Sequence, residues 1–138
     1  MKVRTEYQGG MRFASGEGDA RVVMEGKPEA EGRPAAPTPK QLVLHGLAGC
    51  TGLDVATMLE RQRVPFSGLV VEAEAEQTTA HPKVFKTIRV VYRIRARAED
   101  RAKVERAIEL SQEQFCGVSA MLRLGATLEH RLELEPTD

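Results

Sequence analysis

A chain of 138 residues fits one domain, residues 1–138, and is long enough to bury a core without disulfide staples or a structural metal. Twenty basic and twenty acidic residues cancel to zero formal charge, so no long-range field recruits nucleic acid or an anionic membrane, and a small molecule or a protein is the favoured partner. The opening MKVRTEYQGG has no apolar signal core, and two cysteines in a chain of this kind suit a reducing, cytoplasmic setting in which thiols are free or transiently joined.

Residues 1 to 25 hold three short extended runs, VRTEY, MRFAS and ARVVME, punctuated by Gly9-Gly10 and by Gly16-Glu17-Gly18. An antiparallel meander is expected. Gly26 to Pro37 is rich in Gly, Pro, Ala and Glu, which suits a surface connection, or a lid over whatever lies at the next helix. That helix runs from Thr38 to Arg63. Thr38 and Gln41 form a capping box around Pro39, and the following residues to Leu59 are nearly all apolar or small. With no face left for water it reads as a core helix, and Asp54 and the charged end make it a protein-buried rather than a membrane-spanning segment.

After Pro65 and Gly68, LVVEAEAEQ alternates apolar residues with glutamates, and after a His81-Pro82 turn VFKTIRVVYRIRAR alternates apolar residues with arginines. Two half-buried strands with facing opposite charges account for both patterns locally. Asp100 is placed to cap a second helix that runs through Phe115, with Val104, Ala107, Ile108 and Phe115 at helical spacing. Cys116 ends this helix, Gly117 stops it, and Ser119 opens a short turn that Gly125 closes. ATLEHRLELE then forms a last strand, with His130 among leucines on its inner face as a core histidine. The order β-β-β-α-β-β-α-β indicates a two-layer α+β domain, its long central helix packed on a curved, mostly antiparallel sheet.

Chemistry rests on few residues. Cys50 lies among Gly46, Gly49 and Gly52, each of which weakens a helix unless something approaches closely. Either a neighbouring backbone packs there and Cys50 is a small buried hydrophobe, or space is cleared for a substrate beside a nucleophile. Cys116 carries the same two readings. Asp54, one turn after Cys50, disfavours a thiolate, so a reactive Cys50 calls for a nearby cation. No CxxC, HxxxH or carboxylate cluster is present, and no metal site is expected.

Taken together, Pro39-Lys40-Gln41-Leu42, then Leu47-Ala48-Gly49-Cys50, then Gln114-Phe115-Cys116-Gly117-Val118-Ser119 in this element order resemble the OsmC/Ohr superfamily of thiol-dependent hydroperoxide reductases across nearly the whole chain. His81-Pro82 followed by Phe85 and Ile88, with Glu109-Leu110-Ser111, is similar to its OsmC-like branch. The resemblance implies an intertwined homodimer with active sites at the subunit interface. It also implies Cys50 as peroxidatic thiol, Cys116 as resolving thiol, a small hydroperoxide as substrate, and an external dithiol reductant in place of a bound cofactor. The alternative on the same scaffold is a non-catalytic binding or interaction module with structural thiols. Two positions depart from the family pattern. Lys40 stands where a glutamate is usual, ten residues before the first cysteine, and Arg12 follows Met11 where an arginine usually comes directly after Gly9-Gly10. Both are supporting candidates, and a one-residue shift redirects Arg12 unless a bulge corrects it.

Overall fold

The computed structural model describes residues 1–26 and 35–138. The lid reading of the connection falls largely on residues 27–34, outside the described residues. The chain forms two compact units, Met1–Leu44 and His45–Asp138.

The first unit contains β1 (Thr5–Gly9), β2 (Arg12–Ser15) and β3 (Val22–Glu25), paired antiparallel in the order β1-β2-β3. Gly9, Gly10 and Met11 all take left-handed backbone angles in the first turn (φ 86°, 57° and 59°), a conformation that costs methionine far more than glycine. A bulge between Tyr7 and Gly9 adjusts the register so that Gly9 faces Arg12. On the other side Arg12 faces Glu25, and its Nε donates to Glu25 Oε1 at 2.7 Å, with Nη2 on the same oxygen. The backbone N–H of Ala35 donates to Glu25 Oε2 at 2.9 Å. These partners, the Arg12 guanidinium first, hold the Glu25 carboxyl below its usual range.

Helix α1 (Pro39–Arg61) starts as its sequence predicts. Thr38 N–H donates to Gln41 Oε1 at 2.8 Å, and Gln41 N–H donates to Thr38 Oγ1 at 3.3 Å, so two otherwise orphaned donors are satisfied reciprocally. The helix is not buried all round, however. Only Leu47, Thr51, Val55 and Leu59 are fully enclosed, one row at four-residue spacing, while Leu53 is 72% exposed. By length and composition alone α1 passes as a membrane-spanning helix.

The second unit holds β4 (Phe66–Gln77), β5 (Phe85–Arg97) and β6 (Thr127–Thr137) in the order β4-β5-β6, with α2 (Arg101–Leu110) and α3 (Gly117–Arg123) between the last two strands. β4 and β5 are antiparallel, joined through the turn containing a cis His81–Pro82 bond, whereas β5 and β6 are parallel. The helical crossover of residues 98–126 is what allows the parallel return. The α+β architecture expected from the element order is present, and among the described residues its strands form two three-stranded sheets, mostly antiparallel. Ile88, Val90, Tyr92, Ile94 and Ala96 of β5 form the buried face. On the opposite face the charges interleave: Arg89 pairs with Glu76 (2.9 Å) and Glu129 (3.3 Å), Arg93 with Glu72 and Glu133 (2.6 Å), and Arg95 with Glu135 (2.7 Å). The facing charges expected between β4 and β5 are present, and β6 supplies a second set of glutamates. His130 lies on β6, an edge strand of this sheet among the described residues, and is exposed, not the core histidine its leucine neighbours suggest.

Candidate active site

The second cysteine is held differently from expectation. α2 ends at Leu110, and a π-helical turn, Ser111–Phe115, follows. The widened turn leaves Phe115 60% exposed rather than in line with Val104, Ala107 and Ile108. Cys116 leaves the helical region (φ −74°, ψ 101°) and becomes the N-cap of α3, its sulfur accepting from Ser119 N–H at 3.3 Å. Gly117 is therefore the first residue of a helix, not the stop of one. Cys116 sits at the positive end of α3 rather than at a negative C-terminus.

Cys50 reaches the same place from α1. Its sulfur, that of Cys116 and a carboxylate oxygen of Asp54 all lie within 4.8 Å of one another. Cys50 is partly exposed and Cys116 is buried, and both are free thiols. Burial pushes the Cys50 thiol up, contact with Cys116 and the Asp54 charge push it the same way, and the Val118 N–H on its sulfur pulls it down. Arg12 and Lys40 belong to the first unit: Arg12 is engaged by Glu25, and Lys40 is an exposed residue of the first turn of α1.

Of the three glycines near Cys50, Gly52 alone is explained by close packing within the described residues. A Cβ there would stand 3.3 Å from Val71 Cγ2 on β4, whereas at Gly46 and Gly49 it would meet open space.

Beneath the sulfurs lies a polar network that motif reading overlooked. Ser111 Oγ donates to Asp54 Oδ2 at 2.9 Å, Thr51 Oγ1 is 2.7 Å from Ser111 Oγ and 2.6 Å from the Tyr92 hydroxyl, and Gln112 Nε2 donates to Tyr92 at 2.6 Å. Arg123 donates from Nη2 to Gln112 Oε1 at 3.2 Å and from Nη1 to the Gln112 carbonyl. Thr51, Ser111 and Tyr92 are fully buried, and burial pushes the Tyr92 hydroxyl up. The sequence signal was available: Thr51 interrupts the apolar row Leu47, Val55, Leu59, and Ser111 follows Val104, Ala107 and Ile108 on the buried side of its helix.

The OsmC-like protein family model matches residues 30–131. Protein YhfA of Escherichia coli (strain K12) is 28% identical, over 97% of this chain and 98% of that protein. Among solved structures, a hypothetical protein from Aquifex aeolicus VF5 superposes with a TM-score of 0.82 at 22% identity, covering 99% of this chain and 97% of that one. The Organic Hydroperoxide Resistance Protein OhrB of Bacillus subtilis superposes with a TM-score of 0.68 at 20% identity, covering 96% and 98%. With the family model matched over residues 30–131, most of the chain, the chain belongs to the OsmC-like protein family.

Proposed function

We propose that the chain is a thiol-dependent peroxidase that reduces organic hydroperoxides in an oxidative-stress role. One observation carries this reading: Cys50 and Cys116, 66 positions apart in the sequence (116 − 50), bring their sulfurs within 4.8 Å, the first partly exposed and the second buried. Membership of the OsmC-like family and the fold shared with a protein named for organic hydroperoxide resistance support it.

In the proposed cycle the Cys50 thiolate attacks the terminal oxygen of R–O–O–H. The O–O bond breaks, sulfur gives up two electrons, and the alkoxide takes a proton and leaves as ROH. The sulfenic acid then condenses with the Cys116 thiol, forming the S–S bond and releasing water. An external dithiol restores both thiols by exchange and is itself oxidised. Ser119 N–H, which donates to the Cys116 sulfur, supports that thiol through the second step. The protein is proposed to work as a cytoplasmic homodimer, where a reducing pool recycles the disulfide and apolar surface such as Leu53 is covered.

The test is to add tert-butyl hydroperoxide to the fully reduced protein and follow intact mass. The expected result is loss of two hydrogens with an intramolecular Cys50–Cys116 bond. Cys116→Ser should instead stop at one added oxygen, and Cys50→Ser should not react. Thiol loss no faster than that of a free small-molecule thiol would overturn the reading in favour of a binding module with structural cysteines.

A further inference from the structure

Cys50, Asp54 and Cys116 are a strange trio for a redox site alone. Two sulfurs and a carboxylate oxygen, each able to bind a cation, lie within 4.8 Å of one another. A divalent cation can satisfy such a convergent set of donors directly.

The geometry points to a binding site for a thiophilic divalent cation of the zinc type, held in the reduced protein by Cys50 Sγ, Cys116 Sγ and an Asp54 carboxylate oxygen. Cys50 and Asp54 are four residues apart on α1, the i, i+4 spacing by which a helix presents two ligands to one metal. Cys116 comes from a second element, the N-cap of α3, so the ligands converge from two directions. Zinc–sulfur bonds of about 2.3 Å and zinc–oxygen bonds of about 2.1 Å in a tetrahedron need ligand separations of about 3.5–3.8 Å. Separations of at most 4.8 Å close to this by side-chain rotation of about 1 Å.

Asp54 and Cys116 are each already held by a hydrogen-bond donor. Ser111 Oγ donates to Asp54 Oδ2 at 2.9 Å and leaves the other carboxylate oxygen for a cation. Ser119 N–H donates to the Cys116 sulfur at 3.3 Å. Such partners orient ligands and tune thiolates in metal sites generally. Three protein ligands leave a fourth position for water or an exogenous ligand, and the partial exposure of Cys50 gives the ion a way in. The cation uses the same sulfur electron pairs as the disulfide, so metal-bound and disulfide states exclude each other and a bound ion protects the thiols. This site does not depend on the peroxidase reading, because it needs no oxidant.

The experiment uses the full-length reduced chain and Zn²⁺ alone, in competition with a chromophoric chelator, with Co²⁺ as a spectroscopic substitute. The expected result is one ion per chain, a thiolate-to-cobalt charge-transfer band in the near ultraviolet, and affinity lower by at least about tenfold in each of Cys50→Ser, Cys116→Ser and Asp54→Asn. A second measurement needs no variant: Zn²⁺ should slow alkylation of both cysteines in the wild-type chain by at least about tenfold, mapped by peptide mass. No uptake at micromolar zinc, unchanged affinity in Asp54→Asn, or alkylation indifferent to zinc would each overturn the assignment.

Discussion

Each hydroxyl beneath the sulfurs has one proton to give, and this sets the direction of the whole network. Asp54, as a carboxylate, only accepts, so Ser111 gives it its proton and must itself accept from Thr51. Thr51 then accepts from Tyr92, Tyr92 from Gln112 Nε2, and Gln112 Oε1 from Arg123. One polarised chain therefore runs from a guanidinium to the carboxylate beside Cys50. Thr51 is its narrowest point. Thr51→Val keeps the shape but strips both Tyr92 and Ser111 of a partner, and should cost about 1–3 kcal/mol, read as a lower urea midpoint at unchanged slope. Thr51→Ser restores the hydroxyl and should recover most of that loss; equal losses in both variants would show that packing, not the hydrogen bonds, is what matters there. At this scale the sequence was partly legible. The cysteines stood out as a pair through their flanking residues, whereas Thr51, Ser111 and Tyr92 were hidden inside apolar rows, where a polar residue takes on meaning only once the facing elements are known.

The helices show which local signals survive packing. The Thr38–Gln41 box, the apolar alternation of β5 and the Glu/Arg facing of β4 and β5 were all readable, because each is decided by residues within a few positions or by one adjacent strand. Cys116 was not, since the same Phe-Cys-Gly stretch serves equally as the end of one helix or the start of another, and the π turn at Ser111–Phe115 decides between them. The glycines of α1 separate in the same way. A Cβ at Gly46 or Gly49 meets open space, so Gly46→Ala and Gly49→Ala should each raise the stability of the isolated chain by about 1 kcal/mol through helix propensity. Gly52→Ala must displace Val71 and should gain less or lose. Thermal midpoints of the three variants, taken at a dilution that keeps the protein monomeric, check the order, and a loss at Gly46 or Gly49 seen only at higher concentration would mark a contact between copies. At the start of α2, Asp100 occupies the N-cap position without making a side-chain cap bond. Its buried carboxylate instead accepts from Lys103 at 2.8 Å and from Arg97 at 2.8 Å, and these two partners hold it below its usual range. A depressed carboxyl contributes stability that is fully present above its unfolded value, near 3.8, and is lost as pH falls through the lower folded value. Asp100→Asn should therefore be less stable than wild type at neutral pH, with the gap closing in strong acid, as denaturant midpoints across pH would show.

Across the whole chain, what is left uncovered bears most on function. Leu53 is 72% exposed on α1, Met121 is 64% and Leu124 90% exposed on and just after α3, and Phe115 beside Cys116 is 60% exposed. Single exposed apolar residues are ordinary, but here they sit on the elements that carry the two sulfurs, and exposed apolar surface of this kind marks contact sites. On α1 the outward row through Gly46, Gly49 and Leu53 keeps helical spacing, and its two glycines would let another backbone come close. The proposed homodimer predicts that this row is covered by a second copy. Leu53→Glu places a charge in that contact while disturbing nothing buried within the described chain, so it should shift the protein from dimer to monomer in sedimentation velocity and leave the circular dichroism of the monomer unchanged. Because Cys50 lies between Gly49 and Leu53 on the same helix, the monomeric variant should also expose that thiol and speed its alkylation. A Leu53→Glu protein that sediments as wild type, with unaltered Cys50 alkylation, would place the oligomer contact elsewhere and leave the apolar face of α1 without a partner of its own kind.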